Sequence, residues 1–175
     1  KKELNNLCKK SDERIFHLHW IGDNTISIEE VARLKGKIFW TLHDQWPFCG
    51  AEHYTFPPID KNGSRYEDIR YQMHYSKSSR PYYENGFDLN RWTWKRKKKN
   101  WKQPFHIVAT SNWMANCAKQ SSLMHDWPIS LIPYPINLRE WFPIDKFLAR
   151  KILGIPLDKK IILFGAINGT KDKRK

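Results

Sequence analysis

Lys37-Ile38-Phe39-Trp40-Thr41-Leu42-His43-Asp44-Gln45-Trp46 is the stretch on which the fold turns. Its first half sets Ile38, Phe39 and Trp40 side by side with no polar alternation. That is the pattern of a strand covered on both faces, as in a parallel sheet. Just upstream, Ser27-Ile28-Glu29-Glu30 has capping-box spacing, with Ser at the cap and Glu three later. It predicts a helix running to about Lys35, stopped by Gly36. A helix feeding a doubly covered strand is the repeating unit of an α/β fold.

The same alternation extends in both directions. Lys1 to Lys10 places Leu4, Leu7 and Cys8 on one helical face, and Ile15 to Trp20 is an apolar strand. Asp88 caps a predicted helix to about Trp101, and Phe105 to Thr110 is a further strand. Ser111 or Asn112 caps a helix to about Gln120, and Ile129 to Ile132 is a strand closed by Pro133 and Pro135. Asp145 to Leu153 is a short helix ended by Gly154, and Ile161 to Phe164 is a fifth strand opening into the loop Gly165 to Lys175. The expected fold class is therefore α/β, a Rossmann-like parallel sheet flanked by helices. Pro47 to Phe87 breaks the pattern with Pro57-Pro58, Asn62-Gly63, Pro81 and Asn85-Gly86. So long an irregular stretch inside a compact domain is a mark of function or of partial disorder.

The chain has 175 residues, enough for one sizeable core plus a piece of another domain. Pro133 to Lys160, charged and broken by prolines, reads as a junction, and the lone strand beyond it belongs to a second domain. With 40% apolar residues and nine tryptophans the chain is not a disordered polymer. No apolar run is long enough to span a bilayer, and the opening residues do not resemble a signal peptide. Cys8, Cys49 and Cys117 form an odd, widely spaced set without a C-x-x-C, which fits a reducing cytoplasm better than a disulfide framework. The net charge of +13, from 31 Lys and Arg against 18 Asp and Glu, favours polyanionic partners: nucleic acid, an anionic membrane face or phosphorylated molecules.

Ligands of parallel α/β sheets bind outside the carboxyl ends of the strands. The residues at those ends are His19-Trp20, His43-Asp44-Gln45-Trp46, Thr110-Ser111 and Tyr134. An imidazole at position 43 can donate a hydrogen bond to a hydroxyl or phosphate, and the Asp44 carboxylate can orient that imidazole or a substrate hydroxyl. The plainer alternative is that His43 only ties down a loop. His17 is expected in the opposite layer of the sheet from His19. His17, His19, His53 and Cys49 match no zinc spacing, so no metal site is expected.

Trp92-Thr93-Trp94-Lys95-Arg96-Lys97-Lys98-Lys99-Asn100-Trp101 interleaves aromatics with cations on one helix. Nucleic acid and an anionic membrane face both use such residues. Equally, Trp94 and Trp101, seven apart, can enter the core and leave the lysines in water.

Taken in order, His17-Leu18-His19-Trp20, Thr41-Leu42-His43-Asp44-Gln45-Trp46-Pro47-Phe48, Ser111-Asn112-Trp113, Leu131-Ile132-Pro133-Tyr134-Pro135-Ile136-Asn137 and Phe142-Pro143 resemble family 4 retaining glycosyltransferases. The likeness is greatest to those building capsule, colanic acid and lipopolysaccharide. The resemblance implies a GT-B fold, with two Rossmann-like domains enclosing a cleft. Residues 1–140 would be most of the acceptor-side domain with its start missing. Residues 141–160 would be a linker and helix, and 161–175 the first strand and loop of the donor-side domain, the rest missing. It implies transfer of a sugar, with retention, from a nucleotide-sugar to a glycan or lipid-linked acceptor. That places the enzyme in the cytoplasm, with peripheral contact to the anionic inner membrane, no nucleic-acid partner, no cofactor and no obligatory metal. His43 and Asp44 would be the catalytic residues, His19, Trp46 and Ser111 would line the acceptor side, and Arg174 and Lys175 would contact the donor diphosphate. The chain departs from the family in keeping only Cys49 where many relatives carry a cysteine-rich knuckle. It also has Tyr134 where Asn is usual and Asn137 where Asp is frequent. The family's glycine-rich loop after its first strand and its donor-binding acidic motif are both missing here. The isolated chain is expected to be inactive, since the donor half would be lacking.

Overall fold

The computed structural model describes residues 14–22, 25–56, 58, 60–64, 68–163 and 165. The chain divides into two compact units, one through Pro133 and one from Tyr134 onward. The expected helix at Lys1 to Lys10 lies outside the described residues.

The first unit is built on a four-stranded, all-parallel sheet in the order β1 (Ile15–Leu18), β2 (Lys37–Leu42), β3 (His106–Ala109), β4 (Ile129–Leu131). Its helices are α1 (Ile28–Val31), α2 (Leu89–Asn100) and α3 (Asn112–Gln120). β2 is the central ribbon its sequence predicts: Ile38, Trp40, Thr41 and Leu42 are buried and Phe39 is half-buried, so neither face meets much water. Trp40 is the hub of the aromatic core. Its ring meets Trp101 edge-on at 5.3 Å between centroids, Trp101 meets Phe105 at 5.7 Å, and Phe105 meets Trp127 at 4.8 Å. The indole N–H of Trp101 finds its acceptor in the Ile28 carbonyl at 2.9 Å, which ties the end of α2 to the start of α1. On the other side of β2, α3 packs along β3 and β4 through Met114, Ala115 and Ala118.

Caps set the helix starts. Ser27 and Glu30 form the reciprocal capping box, Asp88 accepts from the Arg91 N–H at 2.9 Å, and Ser111 accepts from the Met114 N–H at 3.2 Å. α1 stops at Val31, short of the expected Lys35, because the chain must turn back to enter β2 beside β1. Gly36 makes that entry at φ 142°, and a Cβ there would lie 2.3 Å from the Arg14 carbonyl oxygen. β1 likewise ends at Leu18 instead of Trp20, since its ladder with β2 stops at the pair Leu18 and Trp40.

Among its described residues, 47–87 contains no helix or strand. It is nevertheless anchored. Gly50 donates its N–H to the Tyr75 hydroxyl at 2.8 Å, and that hydroxyl in turn donates to Glu52. The Arg70 guanidinium lies 4.9 Å from the centre of the Tyr75 ring and bonds Asp88 at 2.7 Å. His74 and Tyr75 both take left-handed backbone (φ 53° and 48°), a strained pair held by the burial of Tyr75.

In the second unit, α4 (Lys146–Ile152) is capped by Asp145, which accepts from the Leu148 N–H at 2.8 Å, and Gly154 ends it at φ 63°. The fifth strand expected at Ile161 to Phe164 is not formed at 161–163, which pair with no neighbour among the described residues, and Phe164 lies outside them. Without a ladder an apolar run has nothing to satisfy its backbone groups but water. Ile162 and Leu163 are almost fully exposed. Among the described residues no helix is long and apolar enough to cross a membrane.

Candidate functional site

The carboxyl ends of β1 and β2 deliver His19 and His43 to the same rim of the sheet. His19 Nδ1 and His43 Nε2 are 2.9 Å apart, a hydrogen bond in which one imidazole donates and the other accepts. His17 joins them. Its ring centroid is 4.4 Å from that of His19, and its Nε2 lies 2.8 Å from the Thr41 hydroxyl. The placement of His17 in the opposite layer is thus corrected: residues two apart on a strand share a face.

Partial burial, and then the nearby charge of His19, hold the His43 pKa below the usual histidine value. The geometry gives the same sign. If both rings were protonated, two N–H groups would face each other across 2.9 Å. His43 is therefore a neutral imidazole at pH 7, able to donate at one nitrogen and accept at the other.

Asp44 is buried. Its Oδ2 lies 2.6 Å from His53 Nδ1, and its Oδ1 accepts from the Trp46 N–H at 3.1 Å. The carboxylate expected to orient His43 or a substrate hydroxyl is paired with His53. That imidazole is brought in from the irregular segment by Gln45. The Gln45 N–H donates to the His53 carbonyl at 2.9 Å, and the Gln45 side-chain oxygen accepts from the Thr55 N–H at 2.6 Å.

These groups border a cavity of about 510 Å³ between the rim, the start of α1 and the middle of α2. His19, His43, Asp44, His53 and Trp46 line it, with Trp20 at its edge. The Trp46 ring is roughly parallel to that of His53, with centroids 6.5 Å apart, and Trp20 stands 6.2 Å from His53, so the wall is largely aromatic. Arg96 closes one side and is held by Glu29 through two bonds of 2.9 and 2.7 Å. Its hydrogen bond keeps the Glu29 carboxyl below the usual range. The cavity offers flat apolar rings, imidazoles and fixed polar groups, a lining suited to a polyhydroxylated or ring-shaped ligand.

Beneath the cavity lies Lys97, fully buried. Its ammonium donates to the carbonyls of Trp46, Cys49 and Gly50, the last two at 3.0 and 2.7 Å, and sits 3.6 Å from the centre of the Trp46 ring. Burial pushes its pKa down to about 7. The expectation that all the lysines of this helix lie in water is corrected at this one. Trp94, Lys97 and Trp101 are spaced i, i+3, i+7 and form the buried stripe of α2. That spacing was the available signal.

Of the other residues named from sequence, Ser111 is occupied as the cap of α3 and does not line the cavity. Tyr134 is exposed and opens the second unit. Arg174 and Lys175 lie outside the described residues. Cys49 and Cys117 are buried thiols outside any disulfide, and burial pushes the Cys49 thiol up, away from nucleophilic use. Among the described residues no three His, Cys, Asp or Glu side chains are grouped to hold a metal ion. Trp20 follows β1 as its place after that strand predicts, whereas His53 and Arg96 were not singled out as cavity residues, and only the folding of the irregular segment and of α2 brings them to the rim. No protein-family model matches this chain, and no curated protein or solved structure matches it either.

Proposed function

We propose that this chain is the acceptor-side part of a GT-B retaining glycosyltransferase. The enzyme would move a sugar from a nucleotide-sugar to a glycan or lipid-linked acceptor in surface polysaccharide assembly. The observation that carries the reading is the meeting of His19 and His43 at the carboxyl rim of an all-parallel sheet, over an aromatic-walled cavity. Pyranose rings stack on flat aromatic faces, and their hydroxyls need polar groups at fixed positions; Trp20, Trp46 and His53 supply the first and His19 and His43 the second. During transfer the bond from the anomeric carbon to the diphosphate oxygen breaks, a bond to the acceptor hydroxyl forms, and that hydroxyl's proton leaves with the nucleotide diphosphate. A neutral His43 can hold the sugar by hydrogen bond. Charge builds on the departing diphosphate, which Arg174 and Lys175 would meet.

The test is transfer by the full-length product of the reading frame that encodes this chain, assayed with radiolabelled nucleotide-sugars and extracted lipid acceptor. His43→Asn is expected to lower turnover about a hundredfold. His125→Asn, remote from the cavity, should leave it unchanged. Equal turnover in both variants would remove His43 from the mechanism, and an absence of transfer from any nucleotide-sugar would remove the reading.

A further inference from the structure

In the bond between His19 and His43 either ring can donate, but at His53 the donor is fixed. A carboxylate has only lone pairs, so Asp44 Oδ2, 2.6 Å from His53 Nδ1, requires the proton on that nitrogen. In the neutral ring the lone pair then sits on Nε2. That nitrogen has no hydrogen-bond partner among the described residues, and the side chain borders the cavity at 38% exposure.

The imidazole is braced from several directions. The Gln45 N–H donates to the His53 carbonyl at 2.9 Å, and the Gln45 side-chain oxygen accepts from the Thr55 N–H and hydroxyl at 2.6 and 3.2 Å. The rings of Trp46 and Trp20 stand with centroids 6.5 and 6.2 Å from that of His53. Asp44 is itself held, since its Oδ1 accepts from the Trp46 N–H at 3.1 Å and its side chain is buried. Orientation thus passes from the end of β2 through Asp44 to an acceptor nitrogen in an aromatic setting.

We propose that His53 selects the ligand of this cavity by accepting, at Nε2, a hydrogen bond from a ring hydroxyl that the transfer does not consume. Asp44 acts through His53 and is a positioning residue. The inference rests on the sugar-transfer reading for its class of ligand, a neutral saccharide. The reacting hydroxyl does not fill the role, because its proton is bound for the diphosphate. A ligand with a methoxy group at the same point brings oxygen against a lone pair with no proton between them, and is rejected. Asp44→Asn reverses the polarity. The Trp46 N–H claims the amide oxygen, the amide NH2 faces His53 Nδ1, and the ring proton moves to Nε2.

The experiment is saturation-transfer NMR on the full chain with methyl β-D-glucopyranoside, methyl β-D-galactopyranoside and methyl α-D-mannopyranoside. Each is paired with its fully O-methylated counterpart, which keeps the ring and loses every hydroxyl. At least one glycoside is expected to bind, and its methylated counterpart at least about tenfold more weakly. His53→Phe, a flat ring without the lone pair, should lose about tenfold, and His53→Gln, whose amide oxygen accepts, should recover most of it. Imidazole nitrogen resonances of the wild type should place the proton on Nδ1 and show Nε2 shifting as glycoside is added, a readout that stands even where His53→Phe does not fold. In Asp44→Asn the proton should appear on Nε2. Binding of none of the three glycosides, equal binding of the methylated forms, full binding by His53→Phe, or an Nε2 resonance unmoved by bound glycoside would each overturn the inference. Sugar transfer by the full-length enzyme beside any of those results would leave the transferase reading standing, and hydroxyl-selective binding without transfer would do the reverse.

Discussion

The Lys97 ammonium lies 3.6 Å from the centre of the Trp46 ring and bonds the carbonyls of Trp46, Cys49 and Gly50. One side chain on α2 thereby holds the turn that follows β2, and with it the floor of the cavity. Removing the ammonium would strand three buried acceptors. Lys97→Met, which keeps most of the volume, is expected to lower stability by about 2–4 kcal/mol in urea titration at pH 7. A loss below about 1 kcal/mol would show that water takes over the three carbonyls.

The same lysine gives stability a dependence on pH. Its folded pKa of about 7 lies below that of an unfolded lysine, about 10.4. Between those values the unfolded chain binds a proton that the folded chain lacks, so this group makes stability rise with pH across the window. Unfolding midpoints measured at pH 7 and pH 9.5 should separate the wild type from Lys97→Met more widely at the higher pH. A gap that narrows would contradict the assignment.

His43 has the corresponding relation at lower pH. Its folded pKa lies below the unfolded value, so the unfolded chain takes up the proton first as pH falls below about 6.5. Acid thus destabilises the fold through this group, and the stability it contributes above that pH is lost on the way down. Histidine ring resonances followed by NMR should show His43 titrating below an unperturbed imidazole, and moving upward in His19→Gln. A His43 that titrates at or above the ordinary value would break the proposed pair.

Asp88 serves three partners at once, the Arg91 N–H at 2.9 Å, the buried Arg70 guanidinium at 2.7 Å and, more distantly, Arg80 at 3.8 Å. Burial alone would raise its pKa, but the bonds from Arg91 and Arg70 outweigh it and hold the carboxyl below the usual range. Its stabilisation is therefore complete above about pH 4 and is lost as pH falls through the lowered value. Asp88→Ala is expected to cost about 2–4 kcal/mol, from a lost cap and a buried guanidinium left with only its longer contact to Glu84 at 3.6 Å. Asp88→Asn, which can still cap, should cost less. Equal losses in the two variants would mean that the cap adds nothing, and an Asn variant as stable as the wild type would mean the same of the ion pair.

The parallel sheet was legible because its signals are local. The unbroken apolar run of β2, the capping box at Ser27 and the caps Asp88, Ser111 and Asp145 each depend on residues within one turn or one strand. His19 and His43 were legible for the same reason, each following a strand whose direction the α/β pattern sets. His53 was not, since its place depends on a main-chain bond between Gln45 and His53 inside a segment without periodicity. Lys97 was hidden by its neighbours: in a run of five cations from Lys95 to Lys99, charge suggests water, and only the helical phase marks position 97 as inward. Ile161 to Leu163 had the composition of a strand, but pairing needs a neighbour that composition does not show.

Lys97 grips residues 46, 49 and 50 by their carbonyl oxygens, which every amino acid provides. Side chains on that turn are consequently free to drift over evolutionary time without loosening it, so long as the backbone path is kept. The cavity rim can thus be rewritten residue by residue for new ligands while the lysine underneath stays put.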